Sequence, residues 1–191
     1  MELEQIHKKL KESLKESRYV HSTGVEEVAH DLAIIYGCNE RQAVLAGILH
    51  DCAKCLSDEA LLQECRLNHL PITDVEVECP FLLHAKVGAL YARIKYGIEE
   101  KEILNAITYH TTGRPGMSIL EKIIFVSDYI EPYRRPLPRI EEIRKTVYQN
   151  LDQGVYLVLE NMVQYLENSG SIIDQTTTET YQYYKKLLNI L

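Results

Sequence analysis

The chain of 191 residues has no tryptophan, only two phenylalanines, and no apolar run near the roughly 18 residues a membrane-spanning helix needs. Residues 1–13 (MELEQIHKKLKES) carry charge where a secretion signal carries an apolar core. Basic charge is also in short supply: 21 Lys and Arg against 28 Asp and Glu leave a net charge of −7. That balance argues against a reader of nucleic-acid backbones, which works through basic patches. It does not exclude a small phosphorylated ligand, because a few local cations or metal ions reverse the field inside one pocket. Cysteines number five, an odd count that points to free thiols in a reducing compartment. The expectation is a cytoplasmic protein with neither a membrane nor a nucleic acid as partner. What is present is ordinary for a globular chain: 46% hydrophobic and 26% charged residues. A chain of this length buries roughly two thirds of its unfolded surface and needs no staples.

Apolar residues recur at three- and four-residue spacing almost throughout, and alternating strand patterns are scarce. The pattern predicts helices near 2–16, 18–36, 40–50, 58–68, 84–96, 100–110, 118–130, 139–168 and 177–190. Asn39 with Gln42, and Ser118 with Glu121, have the spacing of capping boxes. Gly37 and Gly97 each follow a Tyr at the end of a periodic stretch, where a left-handed terminal residue belongs. The stretches 113–116 (GRPG) and 134–138 break the pattern, since proline cannot continue a helix. There is no internal repeat. The expected fold is all-α: one domain over residues 1–191, with 170–191 as a C-terminal helical extension packed on it.

Several polar residues lie on apolar stripes. His50 and Asp51 end a helix whose face carries Ala43, Ala46 and Gly47, small residues that let neighbouring helices approach closely. His21 shares a stripe with Gly24, Val25 and Val28, and His84 shares one with Val87, Gly88 and Tyr91. His110 follows Ile103, Ala106 and Ile107, and Asp128 follows Ile124 and Phe125. Burying one unpaired carboxylate or imidazole costs roughly several kcal/mol. Four His and two Asp on inward faces share one economical explanation, convergence on metal. Imidazole and carboxylate without thiolate suit Zn, Fe or Mn, and helix-bundle cores commonly house such centres. By contrast, His7 lies in a Lys/Glu-rich helix and is expected to be solvated. His30 and His69 are expected to be structural or on the surface.

The order His21, His50-Asp51, Asp128 resembles the H…HD…D pattern of HD-domain metal-dependent phosphohydrolases. The surrounding words are YVHSTGV at 19–25, LAGILHDCAK at 45–54, LLHAKVGA at 82–89 and YHTTGRPGMSILEKIIFVSDYIEPYRR at 109–135. Together they resemble the bacterial YqeK-type family, symmetrical bis(5′-nucleosyl)-tetraphosphatases that split diadenosine tetraphosphate into two ADP. The resemblance covers roughly residues 3–168. It implies an HD-domain helical bundle, a nucleotide substrate and a homodimer. It also implies a divalent-metal cofactor, specifically a dinuclear iron centre, with Mn, Zn and Mg left open by the residues themselves. In that assignment His21, His50, Asp51 and Asp128 hold one ion. His84 and His110 complete a second site, with Asp51 bridging.

Lys54 lies one helical turn after Asp51 and Arg134 six residues after Asp128; both are candidate phosphate clamps. Asp51, Lys54 and Arg134 are therefore the candidate catalytic residues. Candidate substrate contacts are His21, Lys54, His110, Thr111 and Arg134, with Thr111 offering a hydroxyl directly after His110. Glu121 is a candidate helix cap, and Glu131 a candidate for orienting Arg134. Arg135 competes with Arg134 for its role. Tyr19, Tyr109, Tyr129 and Tyr133 flank the candidate residues and could stack a base, although a tyrosine also serves at core edges. Cys52 and Cys55 form C-x-x-C without the βαβ setting of a redox motif or a second ligand pair for structural zinc. The motif alone leaves two other readings open: a different HD-type nucleotidase or phosphodiesterase, and a non-catalytic nucleotide-binding regulator.

Overall fold

The computed structural model describes residues 1–190. Their regular structure is eleven α-helices and one 3₁₀ turn, with no strand among the described residues. In order these are α1 (Leu3–Ser13), α2 (Glu16–Tyr36), α3 (Glu40–Leu49), α4 (Asp58–Leu67), α5 (Asp74–Glu78), the 3₁₀ turn Pro80–Leu83 and α6 (His84–Tyr96). Then come α7 (Lys101–Thr108), α8 (Ile119–Ile130), α9 (Ile140–Val147), α10 (Leu151–Asn168) and α11 (Gln175–Leu187). No helix among the described residues is long and apolar enough to cross a membrane.

The helix ends follow local chemistry. Ser118 and Glu121 form the full capping box of α8, whereas Asn39 caps α3 by accepting from the Gln42 N–H. Gly37 and Gly97 close α2 and α6 at φ +63° and +73°, a region glycine enters without a Cβ penalty. Each helix then buries one face. On α1 that face is Ile6 and Leu10, both fully buried, worth roughly 1.5–3 kcal/mol each.

The centre of the molecule is α2, α3, α7 and α8 in mutual contact, with α6 laid along α7. Gly47 sets the closeness of α3 to α2. A Cβ there would come 2.9 Å from the Glu26 Cα, so any side chain would push the two helices apart. At the C-terminal end α10 packs on α8, α9 and α11, and Tyr184 of α11 is fully buried.

Two expectations need correction. The helix expected over 139–168 is two helices. Asn150 accepts from the Gln153 N–H and starts α10 afresh, and Val147 folds back onto Gly154 so closely that a Cβ there would lie 2.6 Å away. Between α4 and α6 lie α5 and the 3₁₀ turn, where no helix was expected. The capping box of Thr73 with Glu76 nucleates α5 despite its five residues.

Candidate metal centre

Four imidazoles and two carboxylates, distant in sequence, meet where these helices converge. His21 projects from the second turn of α2, His50 caps α3 and Asp51 follows in the next turn. His84 opens α6 directly after the 3₁₀ turn, His110 lies two residues past α7, and Asp128 is on the last turn of α8. His50, Asp51, His84 and His110 are essentially inaccessible to solvent, and His21 nearly so.

The second nitrogen of each ring determines what this cluster can do. His50 Nδ1 donates to the Gly47 carbonyl and His110 Nδ1 to the Ile107 carbonyl, both at 2.7 Å. His84 Nδ1 donates to the Phe81 carbonyl. His21 Nδ1 donates to Glu131 Oε1 at 3.0 Å. Carbonyls and carboxylates accept only, so Nδ1 carries the hydrogen and Nε2 of each neutral ring is a bare lone pair. Those lone pairs face one another: His21 and His50 Nε2 are 3.2 Å apart, and His84 and His110 Nε2 are 3.1 Å apart.

Asp51 stands between the two pairs. Its Oδ2 is 3.6 Å from His50 Nε2 and 3.8 Å from His21 Nε2. Its Oδ1 is 3.1 Å from His84 Nε2 and 3.6 Å from His110 Nε2. Asp128 Oδ1 joins the first pair, 3.1 Å from His21 Nε2 and 3.8 Å from His50 Nε2. Asp51 Oδ1 is buried without a hydrogen-bond partner. Acceptors thus point at acceptors in a dry interior, an arrangement that costs several kcal/mol, roughly, unless a cation fills it. The residues fit divalent metal. Three overlapping sets lie within ligating reach of one another: His21 with His50 and Asp51; His50 with His110 and Asp128; Asp51 with His84 and His110.

With no cation in the cluster His50 takes up part of that charge: burial opposes it, but Asp51 foremost, with Asp128, raises its imidazole. Burial drives the His110 imidazole down to about 4, so its ring is neutral. Burial opposes charge on Asp51 too, but the surrounding imidazoles, His50 foremost, hold its carboxyl well below the usual range. On Asp128 the same opposition from burial is overcome by His21 and by the Arg134 guanidinium, and its carboxyl is also held low.

Three cations stand at the rim. Lys54 Nζ lies 3.0 Å from His84 Nε2. Arg134 Nη1 lies 3.0 Å from Asp128 Oδ1 and also donates to the Asp128 carbonyl. Arg18 Nη1 lies 2.7 Å from Asp51 Oδ2. Burial lowers the Lys54 ammonium, and Asp51 and Asp128 partly offset that. Beside the cluster opens a cavity of about 280 Å3, lined by Lys54, His84, His110, Thr111, Asp128 and Arg134. Phe81, Ile172, Asp174 and Thr177 add an apolar wall and three C-terminal residues to it.

His21, His50, Asp51, Lys54, His84, His110, Thr111, Asp128 and Arg134 therefore meet at one place. Arg18 was missed, although its position one turn before His21 on the same helix face was the signal that could have found it. Glu131 was expected to orient Arg134. Its carboxylate instead holds His21 and the Tyr133 N–H. Gly24 permits this, since a Cβ there would meet Glu131 Oε2 at 2.7 Å. Glu121 caps α8 and also holds Arg114 through two hydrogen bonds. Of the flanking tyrosines, Tyr129 lines the cavity. Tyr19 instead bonds His7, Tyr109 lies under Arg114, and Tyr133 is exposed. His7 is not simply solvated: it is half-buried between Tyr19 and Glu26. Cys52 points away, donating to the Gly88 carbonyl at 3.4 Å, and burial raises its thiol pKa far above the ordinary value, while Cys55 is exposed.

A model of the HD domain matches residues 18–133, more than half of the chain. A symmetrical bis(5′-nucleosyl)-tetraphosphatase of Halalkalibacterium halodurans is 41% identical over 172 residues, which cover 90% of this chain and 91% of the relative. The chain belongs to the HD-domain family of symmetrical bis(5′-nucleosyl)-tetraphosphatases. A second member of that family, from Bacillus subtilis, is 37% identical over 91% of this chain and 92% of its own length. A crystal structure from Clostridium acetobutylicum, described as a predicted HD superfamily hydrolase involved in NAD metabolism, superposes with a TM-score of 0.94 at 35% identity. It covers 98% of both chains. The matched HD segment begins at Arg18 and ends at Tyr133, so it brackets all six converging His and Asp residues.

Proposed function

We propose that this protein is a metal-dependent hydrolase that cuts dinucleoside tetraphosphates symmetrically, diadenosine tetraphosphate giving two ADP. The observation that carries the reading is the ring of Nε2 lone pairs closed around Asp51. The kinship with tetraphosphatases of the same length narrows the substrate. In this reading His21, His50, Asp51 and Asp128 would hold one divalent ion. His84 and His110, together with Asp51, would hold a second. We assign iron to the centre; Zn also takes imidazole, and Mn and Mg, which lean to the carboxylate oxygens, are tested beside it. When bound, such ions offset polyphosphate charge and lower the pKa of water toward neutrality.

The chain's own residues do the rest. Arg134 presents a planar fork to phosphate oxygens, turning from Asp128 when the substrate arrives. Lys54 and Arg18 add two positive charges at the same rim. Together they form a cationic spot on an acidic protein, one that draws in a short polyphosphate. The Thr111 hydroxyl reaches a phosphate or ribose oxygen, and His21 and His110 bound the substrate from below. In hydrolysis a water oxygen bonds to one of the two central phosphorus atoms. That atom's bond to the central bridging oxygen breaks, the bridging oxygen leaves on the second ADP, and a proton goes to solvent. We further assign the protein to the cytoplasm as a homodimer, with residues 1–191 acting as one domain and 170–191 as a C-terminal helical extension packed on it.

The test is to load purified protein with Fe, Mn, Zn or Mg in turn, supply diadenosine tetraphosphate and separate the products. ADP alone is expected. ATP with AMP, or no turnover with any metal, overturns the reading. Elemental analysis of protein purified without added metal tests iron, and light scattering tests the dimer.

A further inference from the structure

We infer that a second cavity, between α8, the 134–138 loop and α10, receives the second nucleoside of the substrate. The inference rests on the tetraphosphate reading above and extends it. A substrate cut at its centre carries a nucleoside at each end, and both ends need a place. The cavity beside the centre, at about 280 Å3, falls just below the roughly 300–1,000 Å3 range of small-ligand sites. It has room for one nucleoside. A neighbouring cavity of about 410 Å3 is lined by Tyr129, Arg134, Leu137, Pro138, Asn161 and Tyr165, among others.

The two cavities share a wall. Tyr129, Arg134 and Met162 line both. Arg134 therefore stands at the partition, its guanidinium 5.6 Å over the Tyr129 ring and 3.0 Å from Asp128 Oδ1. A phosphate chain crossing the centre passes this guanidinium before it can enter the second cavity.

The lining suits a base. Tyr165 is 70% exposed, an unusual position for a large aromatic ring, and it lines the cavity. A ring in that position offers a stacking face for any base. Leu137, Pro138 and Met162 supply apolar walls. Asn161 supplies a polar group whose orientation is determined. Its Nδ2 donates to the Pro138 carbonyl at 3.0 Å and to the Tyr129 hydroxyl. A proline carbonyl only accepts, so the amide nitrogen is committed there. Among the described residues the amide oxygen accepts no hydrogen bond, and it can accept from an exocyclic amine such as that of adenine.

Calorimetry on the metal-loaded protein tests this with two non-hydrolysable probes. One is diadenosine tetraphosphate with a methylene at the central bridge. The other is adenosine 5′-tetraphosphate with the same substitution. One stacked base is worth about tenfold or more in affinity. The wild type is therefore expected to bind the two-nucleoside probe about tenfold more tightly. Tyr165→Ala should bring that ratio to about one while leaving the one-nucleoside probe unaffected, and Tyr165→Phe should keep it. The position is exposed, so folding is not at issue. Equal binding of the two probes by the wild type, or an undiminished ratio in Tyr165→Ala, overturns the subsite. A protein that shows the expected ratios yet does not cleave diadenosine tetraphosphate supports the subsite and overturns the hydrolytic reading instead.

Discussion

Two clusters of charged and polar side chains stand on different helices, one on α9 and α10 and the other where α2, α3, α6, α7 and α8 converge, and they are built on opposite plans. Around Arg139 every guanidinium nitrogen meets a carboxylate oxygen. The guanidinium reaches Glu142 twice, at 2.8 and 2.9 Å, and Glu160 at 2.7 Å. The Tyr156 hydroxyl donates to the other oxygen of Glu160 at 2.6 Å. That cluster is complete as it stands. Around Asp51, lone pair faces lone pair and a buried carboxylate oxygen goes unpaired. The first cluster serves the fold. The second is satisfied only by something from outside, and the fold bears its cost. Binding sites differ from structural polar networks in this unfinished state more than in residue type.

The sharpest way to break the contrast is Asp51→Ala. It removes the one group that faces both imidazole pairs. Metal content and turnover of diadenosine tetraphosphate should both fall to the limit of detection, read by elemental analysis and product chromatography. If either survives, Asp51 does not have the role given to it.

Next in size is the effect of the missing partner on stability. Metal at about 100 times its dissociation constant stabilises a single site by about 2.7 kcal/mol. For a chain of this size that raises the melting temperature by roughly 5–10 °C. Thermal melts with and without metal should show this rise in the wild type and not in Asp51→Ala. An unresponsive wild type would mean that the centre binds no metal.

Glu131→Gln probes the layer behind the ligands. It keeps the shape but weakens the hold on His21 Nδ1, and changes of this kind lower metal affinity by roughly 10–100-fold. A competition assay with a metal-sensitive dye reads the shift. Unchanged affinity would show that α2 alone orients His21.

The smallest effect belongs to the complete cluster. Glu160→Gln should cost about 1 kcal/mol or less and leave turnover untouched. Burial raises the Glu160 carboxyl pKa, but the Tyr156 hydroxyl and Arg139 overcome this and hold it below its ordinary value. A carboxyl lowered in the folded state stabilises at pH above its unfolded pKa, and the benefit is lost as pH falls through the folded value. The wild type and the variant should therefore differ in chemical denaturation at neutral pH and converge in acid. A difference that persists in acid would point to packing as its source.

The sequence alone read well where the signal was local. Periodicity marked the helices, Gly37 and Gly97 marked two ends, and six polar residues on apolar stripes announced one buried polar centre. It read poorly where partners were distant. Glu131 faces His21 across 110 residues of chain, and nothing in the EPYRR word tells that its carboxylate turns to α2 instead of to Arg134. The break of the long C-terminal helix at Asn150 was also hidden, because the apolar spacing continues across it, although Asn150 caps α10 through the Gln153 N–H and Gly154 admits Val147 at the turn. Arg18 was within reach, one turn from His21, but an arginine on a charged helix has no local mark of its role.

The sequence by itself determined an all-α chain whose inward faces carry four imidazoles and two carboxylates, because helical spacing dictates which side chains share a face. Only the tertiary structure decided what those groups do to one another. Hydrogen bonds from Nδ1 to carbonyls and to Glu131 leave every Nε2 as a lone pair, and close helix approach at Gly47 and Gly24 brings those lone pairs around Asp51. Protonation and orientation are set by neighbours in space, and that is why the demand for a cation becomes visible only once the helices are packed.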